Sequence, residues 1–351
     1  MTLISLILIS LAANAAPRPA GYQVITAHPH DLEVLLPHVQ TLEKNGRFWR
    51  VAPRASMPAD LYRHLRQIGT EEVGARTLVR PARRRKSNIA IQRLVDQVDV
   101  TKLRADVATL SAHRSRAAGS EENRLATNWA EDRLKGLGYQ TRQVCYRAGA
   151  CSVVADRAGT AGSGIVLVMA HIDSVGRAFA GADDNASGTA ALLEMARVLA
   201  SASVTKGLRF FVTNGEENGL LGAKHYVGQL QASGELPLVK LAINMDMVGY
   251  NQNGVVELET NAPFKTLAEK FADLAHRYTS LRSKITLGAW GSDHVPFLER
   301  NVPAILTIEN WDTKTPCYHQ ACDKPDTLNY DYAAEITKLN VAAVADEAGL
   351  R

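Results

Sequence analysis

Five segments of this chain place a group able to bind a metal ion or carry a proton directly after a short apolar run of β type. Ile165–Ala170 runs into His171-Ile172-Asp173, and the next loop carries Gly181-Ala182-Asp183-Asp184-Asn185-Ala186-Ser187-Gly188 ahead of a helical stretch. Leu208–Thr213 runs into Asn214-Gly215-Glu216-Glu217-Asn218, Val239–Met245 ends at Asp246, and Ala304–Ile308 precedes the loop holding Tyr318-His319. A single Asp or Asn in such a place is weak evidence, because these residues cap helices. Five at the same end of successive strands are not explained that way. Two imidazoles with several carboxylates suit Zn²⁺ better than Mg²⁺ or Ca²⁺, which prefer all-oxygen sites. Two Zn²⁺ ions carry four positive charges, which three ligating carboxylates and a hydroxide balance. One further carboxylate is then left to move protons, and the adjacent Glu216 and Glu217 fit that division. Two ions roughly 3.5–4 Å apart hold a nucleophile and polarise a carbonyl together.

Groups so spaced need a sheet to hold them. Helical periodicity runs through Leu103–Leu110 and Asn123–Gly136, and a hairpin-like region surrounds Cys145 and Cys151. After the strand Ile165–Ala170, helices at Ser187–Ala200, from Leu220, at Phe264–Tyr278 and at Tyr332–Ala348 alternate with strands at Leu208–Thr213, Val239–Met245, Val255–Glu259 and Ala304–Ile308. This alternation predicts an α/β fold, a single mixed and mainly parallel β-sheet flanked by helices on both faces. Ligands of such sheets sit beyond the carboxyl ends of the strands, where the candidate groups lie.

The 351 residues allow about two domains of ~150 residues, and a hydrophobic content of 46% excludes a disordered chain. The net charge of +4 is unevenly distributed. Residues 1–95 hold 14 basic and 6 acidic side chains, and residues 96–351 hold 26 and 30, so nucleic acid is not the partner of the body. Residues 1–15, with the apolar run Leu3–Leu11 before Ala13-Asn14-Ala15, read as a signal peptide, since a membrane span needs roughly 20 residues. No later segment approaches spanning length. Residues 16–95 read as a small α+β pro-segment or accessory domain, with strands Tyr22–Ala27 and Phe48–Val51 and helices Asp31–Lys44 and Ala59–Ile68. Its basic linker, 76–87, has six Lys or Arg among the eleven residues Arg76–Lys86, a pattern open to proteases, and processing is expected near Arg83–Lys86. Residues 96–351 form the domain with the candidate site. The cysteines, Cys145 with Cys151 and Cys317 with Cys322, lack the C-x₂-C spacing of zinc sites; local disulfides are the simplest pairing and fit a secreted or periplasmic protein.

Taken in order, the strings His171-Ile172-Asp173, Gly181–Gly188, Glu216-Glu217, Asn244-Met245-Asp246-Met247 and Cys317-Tyr318-His319 resemble the secreted bacterial leucyl aminopeptidase family of di-zinc exopeptidases, whose relatives include glutamate carboxypeptidases and glutaminyl cyclases. The resemblance covers roughly residues 98–351. It implies that Asp184 bridges two Zn²⁺ ions, that His171 and Asp246 complete one site, and that Glu217 and His319 complete the other. It further implies Glu216 as general base and later acid, Asp173 as the group orienting His171, and Tyr318 as donor to a developing oxyanion. The Cys317–Cys322 pair would stiffen the loop around His319. The implied activity is removal of N-terminal, Leu-like residues from peptides with a free amino end; a monomer is expected. A glutaminyl cyclase, a carboxypeptidase or dipeptidase relative, and a binding module that kept the fold are the other readings.

Other signals carry less. Gly291-Ser292-Asp293-His294 is read as structural or substrate-lining, and His28-Pro29-His30 lies in the leader without a carboxylate cluster. His225 and His276 fall on helices as surface or packed residues. Asp183 is read as a loop residue beside Asp184, and Ser187 as the cap of the following helix.

Overall fold

The computed structural model describes residues 87–351 apart from 163, 177–178 and 290, and of the preceding chain residues 22–25, 35–45, 48–58, 61, 66–67 and 76–79. The leader contributes strands β1 (Tyr22–Ile25), β2 (Val39–Asn45), β3 (Phe48–Pro53), β4 (Arg66–Gln67) and β5 (Arg76–Leu78). Helices α1 (Ile89–Val95), α2 (Val100–Ser111) and α3 (Glu121–Gly136) precede the hairpin of β6 (Gln140–Arg147) and β7 (Ala150–Arg157). Then come β8 (Ile165–His171), α4 (Gly188–Leu199), β9 (Gly207–Thr213), α5 (Leu221–Ala232) and β10 (Val239–Met245). The chain continues through β11 (Val255–Thr260), α6 (Lys265–Tyr278), β12 (Arg282–Leu287), α7 (Val295–Leu298), β13 (Ala304–Glu309) and α8 (Tyr330–Ala348).

One mixed sheet of nine strands, in the order β5-β12-β11-β13-β10-β8-β9-β7-β6, forms the body. Its centre, β13-β10-β8-β9, is parallel, and antiparallel pairs flank it. Parallel strands must be covered on both faces, and the side chains of β8 show how. Val166, Val168 and Ala170 enter the larger core with α1 to α4, α6 and α8, while Leu167 and Met169 enter a second core with Tyr226, Val227 and Leu230 of α5 and Phe297 of α7. The alternation follows from the period of two along a strand. Each predicted strand and helix of the body is present within three residues at its ends. Strand β12 was not anticipated: Arg282, Ser283, Lys284 and Thr286 dilute its apolar signal. No helix among the described residues is long and apolar enough to cross a membrane.

The leader departs from its expectation. Of the predicted helix Asp31–Lys44, residues 31–34 lie outside the described residues, Leu35 is helical, and the chain then makes a tight turn at Leu36–His38 and a strand over Val39–Asn45. Pro37 cannot continue a helix, and the β-branched Val39 and Thr41 favour the pleated surface. Likewise Arg66–Gln67, placed in a helix by periodicity, pairs antiparallel with β1. The resulting four-stranded sheet, order β2-β3-β1-β4, belongs with a small cluster of Leu35, Val39, Val51, Met57 and Leu61. The strands Tyr22–Ile25 and Phe48–Pro53 lie where expected. Residues 1–15, His28-Pro29-His30 and the basic residues 80–86 lie outside the described residues.

Two leader segments join the body itself. β5 pairs antiparallel with β12 and forms one edge of the large sheet. Helix α1, capped by Asn88 through Ala90 N, buries Ile91, Leu94 and Val95 in the main core. Replacing Ile91 by Ala is expected to cost about 2–5 kcal/mol in denaturant unfolding. Ile89→Ala, at a position 71% exposed on the same helix, is expected to cost less than about 0.5 kcal/mol. Equal effects would contradict the packing of α1 on the body.

Candidate active site

His171 ends β8, Asp246 follows β10, Glu216 and Glu217 follow β9, Asp184 lies between β8 and α4, and His319 lies beyond β13. The four central strands thus bring all five segments to one end of the sheet. The Asp184 carboxylate is divided between the two imidazoles, with Oδ1 3.3 Å from His171 Nε2 and Oδ2 3.0 Å from His319 Nε2. Asp246 Oδ1 stands 3.2 Å from the same His171 nitrogen, and Glu217 Oε2 stands 3.2 Å from the same His319 nitrogen. Each half therefore presents one imidazole nitrogen and two carboxylate oxygens, with Asp184 common to both. Donor atoms of His171, Asp184 and Glu217 all lie within 4.8 Å of one another.

The charge balance of this cluster calls for a cation. Burial, and then the charges of Glu217, Asp246 and Asp293, hold the Glu216 carboxyl well above the usual range. Burial and Asp184 lift Glu217 to about 7. Burial would lower both imidazoles, yet Asp246 and Glu216 raise His171 well above its ordinary value, and Glu217 and Asp184 raise His319 to about 10. Asp184, despite burial, is held well below the carboxylate range by the two imidazoles. A set of nitrogen and oxygen donors, buried and short of positive charge, fits divalent ions such as Zn²⁺.

Neighbouring groups fix these side chains. Asp173 accepts the backbone N–H groups of Glu216 at 3.3 Å and Glu217 at 3.2 Å, which sets the turn carrying both glutamates. The contact expected from its carboxylate to His171 is made instead by its backbone carbonyl, 3.1 Å from Nδ1, while the carboxylate, committed to two amides, is 3.7 Å away. With Nδ1 so engaged, Nε2 is the nitrogen that faces the cluster, and it offers its lone pair once its proton is displaced. The Asp184–Asn185 peptide is cis. Asn185 donates to Met245 O and accepts from the N–H groups of Gly188 and Met247, tying the Asp184 loop to the end of β10. A Cβ at Gly188 would stand 2.3 Å from Asn185 Oδ1 and 2.5 Å from Met245 O, so only glycine fits there.

Asp183 turns away from the cluster and accepts from Gly249 N and the Ser187 hydroxyl. Ser187 makes no capping bond to α4; its oxygen accepts from Val248 N instead. Ser292 donates to Asp246 Oδ2 at 2.7 Å and is itself held by Asn244 at 2.7 Å, a role in the Gly291–His294 string beyond lining. Asp293 accepts from the Thr213 hydroxyl, and His294 lies buried 3.5 Å from Glu259. His225 bonds Gln229 on the exposed side of α5, and His276 is half-buried on α6.

Two contributors escaped the sequence reading. Arg116, fully buried, donates to the carbonyls of Ile172, Leu110, Ala180 and Gly181, holding the segments that lead to Asp173 and Asp184. Asp323 accepts Asp183 N at 2.8 Å and Asp184 N at 3.1 Å. Neither has a distinguishing context: Arg116 follows His113-Arg114-Ser115, and Asp323 sits among loop residues. Both act on backbone atoms, which no side-chain pattern reports. Cys317–Cys322 and Cys145–Cys151 are both disulfides, in the local pairing expected.

Above the cluster lies a pocket lined by Glu216, Met247, Ile308, Trp311, Tyr318 and His319. Tyr318 stacks on His319 with ring centroids 3.9 Å apart and meets Trp311 edge-on at 5.3 Å. Burial, then the charges of Asp184, Glu217, Glu216 and Asp246, push the Tyr318 hydroxyl well up, so it stays a proton donor.

The sign of the pH dependence follows. Glu217, Asp183 and Asp293 at about 7, Asp323 at about 6 and His319 at about 10 all bind protons more tightly folded than unfolded. Their stabilisation of the metal-free protein is present at low pH. It is lost as pH rises, through roughly pH 4–7 for the carboxyls and from about 6.5 upward for His319. Metal binding favours the deprotonated groups. The difference in melting temperature between zinc-loaded and chelator-treated protein should therefore widen from about pH 5 to about pH 9. A difference constant with pH would contradict this electrostatic picture.

Comparisons with known proteins fit this geometry. The profile described as Peptidase family M28 matches residues 152–344. Aminopeptidase YwaD of Bacillus subtilis (strain 168) is 37% identical over 195 residues, which is 51% of this chain and 40% of that protein. The chain thus spans less than half the length of that relative. Among solved structures, LapB from Legionella pneumophila superposes with a TM-score of 0.72 at 20% identity, covering 94% of this chain and 99% of its own. BSAP, described as a zinc aminopeptidase from Bacillus subtilis, gives 0.64 at 18%, covering 72% and 96%. Porphyromonas gingivalis glutaminyl cyclase gives 0.60 at 20%, covering 72% and 99%. Likeness at these identities speaks to the fold alone. With more than half of the chain matched by the family profile, and the five motif segments gathered at one end of the sheet, the chain belongs to peptidase family M28.

Proposed function

We propose that the chain is a secreted or periplasmic zinc-dependent aminopeptidase that binds two Zn²⁺ ions and removes N-terminal residues from peptides. The observation that carries this reading is the division of the Asp184 carboxylate between two imidazole–carboxylate groups, with Glu216 beside them in the pocket. His171, Asp246 and Asp184 would hold one ion, and His319, Glu217 and Asp184 the other. When bound, the ions supply acidified water and polarise the scissile carbonyl. Glu216 takes the proton of the attacking water and returns it to the leaving amine. Tyr318, protonated and next to His319, donates to the oxygen that gains charge. Carboxylates at the cluster receive the substrate's ammonium group. The apolar walls Met247, Ile308 and Trp311 support a preference for Leu-like side chains. The two local disulfides support an oxidising compartment.

Purified protein is expected to release free amino acid from unblocked peptides and not from N-acetylated ones. Chelator should abolish the activity and zinc restore it. Cyclised product without cleavage would establish a glutaminyl cyclase instead. Glu216→Gln is expected to lower kcat by about 10²–10⁴-fold with zinc content unchanged, and full activity in that variant would refute the base assignment.

We also read residues 16–95 as a pro-segment cut near Arg83–Lys86, which would leave α1 with the body. N-terminal sequencing of the secreted protein should then begin close to Ser87, and a start before Arg76 would contradict the reading.

A further inference from the structure

Asp323 lies outside the groups assigned above to metal or proton transfer, yet its carboxylate is 2% exposed and fully committed to backbone. Oδ1 accepts from Asp183 N and Oδ2 from Asp184 N, so one planar group holds two consecutive amides. On the other side of the same loop, the Arg116 guanidinium takes the carbonyls of Ala180 and Gly181 at 2.5 and 2.8 Å. The segment 180–184 is thus gripped between opposite charges, through its carbonyls at one end and its amides at the other.

The origin of Asp323 makes this grip consequential. It follows Cys322 directly, and the Cys317–Cys322 disulfide closes the loop that carries His319. His319 holds the left-handed backbone conformation, φ 55°. The covalently closed loop and the residue directly after it therefore reach Asp184 twice, with the His319 ring at its side chain and the Asp323 carboxylate at its backbone. Apart from the shared Asp184, the other half of the cluster is built separately. His171 and Asp246 come from the ends of β8 and β10, and Asp246 is held by Ser292.

Resting on the two-metal reading above, we propose that Asp323 is a positioning residue that couples the disulfide-closed His319 loop to the backbone of Asp184, so that the site formed by His319 and Glu217 depends on it and the site formed by His171 and Asp246 does not. Asn at this position keeps the size of the side chain but can offer only one oxygen, and its NH₂ faces an amide N–H. One of the two grips is lost, and Asp184 Oδ2 is no longer aimed at the His319 half.

The test is zinc affinity of the full chain, measured by competition with a chromophoric chelator, alongside kcat and KM. The unaltered protein should bind two equivalents. Asp323→Asn should keep one equivalent at unchanged affinity and hold the second about 10–100-fold more weakly. Its kcat at limiting zinc should fall while KM stays within about twofold, and excess zinc should restore kcat. The pair Cys317→Ser with Cys322→Ser should weaken the same equivalent, which provides the readout should Asp323→Asn fail to fold. Two equivalents bound as in the unaltered protein overturn the proposal. Parallel weakening of both equivalents also overturns it, because that is general loss of structure. An unaltered protein that takes up a single equivalent overturns the two-metal reading itself, and the proposal falls with it.

Discussion

Mutual repulsion of carboxylates is the constraint around which the rest of this molecule is arranged. Asp173, Asp184, Glu216, Asp246 and Asp293 are all buried at one end of the sheet, Glu217 stands beside them, and Asp183 and Asp323 lie just behind. Removing one such ion from water costs several kcal/mol unless hydrogen bonds or counter-charges replace the lost solvent. The structure supplies these on the outward side of each group. Amides of residues 216 and 217 serve Asp173, amides of 183 and 184 serve Asp323, and the Ser292 and Thr213 hydroxyls serve Asp246 and Asp293. The inward sides share the two imidazoles. What remains is a set of donors fixed in direction and deficient in positive charge, which is the condition for binding divalent ions.

The same arrangement separates two adjacent glutamates that are chemically alike. Because Asp173 holds both of their amides, the turn after β9 is rigid, and one side chain can face His319 while its neighbour stands in the pocket among acidic groups. A carboxyl kept high by burial and like charge suits proton transfer, and a carboxyl set against an imidazole suits ligation. On the function proposed above, the pairing of roles is a property of the turn and not of either residue alone.

Sheet topology explains why so many loops converge. In the central parallel strands every crossover returns at the far end, so the carboxyl ends of β13, β10, β8 and β9 all open on one side. The β6–β7 hairpin extends the sheet at one margin, and β11, β12 and β5 extend it at the other. The leader uses one margin, through the pairing of β5 with β12, and its last helix enters the main core. The expectation of a basic, protease-accessible linker over 76–87 thus met a segment that begins with a paired strand.

The sequence by itself determined the kinds of group that could do chemistry and the strand ends that carry them. His171, Asp184, Glu216, Glu217, Asp246 and His319 each sit within a few residues, or one loop, of an apolar run whose period is readable. It misjudged the later part of the helix placed at Asp31–Lys44, where a few apolar residues at helical spacing were outweighed by Pro37 and a partner strand. It was silent on Arg116 and Asp323, and it read Ser292 only within a structural or substrate-lining string. Apart from the Arg116 bond to Leu110, these act on atoms 46–140 positions away in the chain, and two of the three grip peptide groups that every residue possesses. Only the tertiary structure decided how Asp184 is shared between two histidines and what holds it there, because that depends on backbone amides and carbonyls whose directions exist only once the sheet has formed.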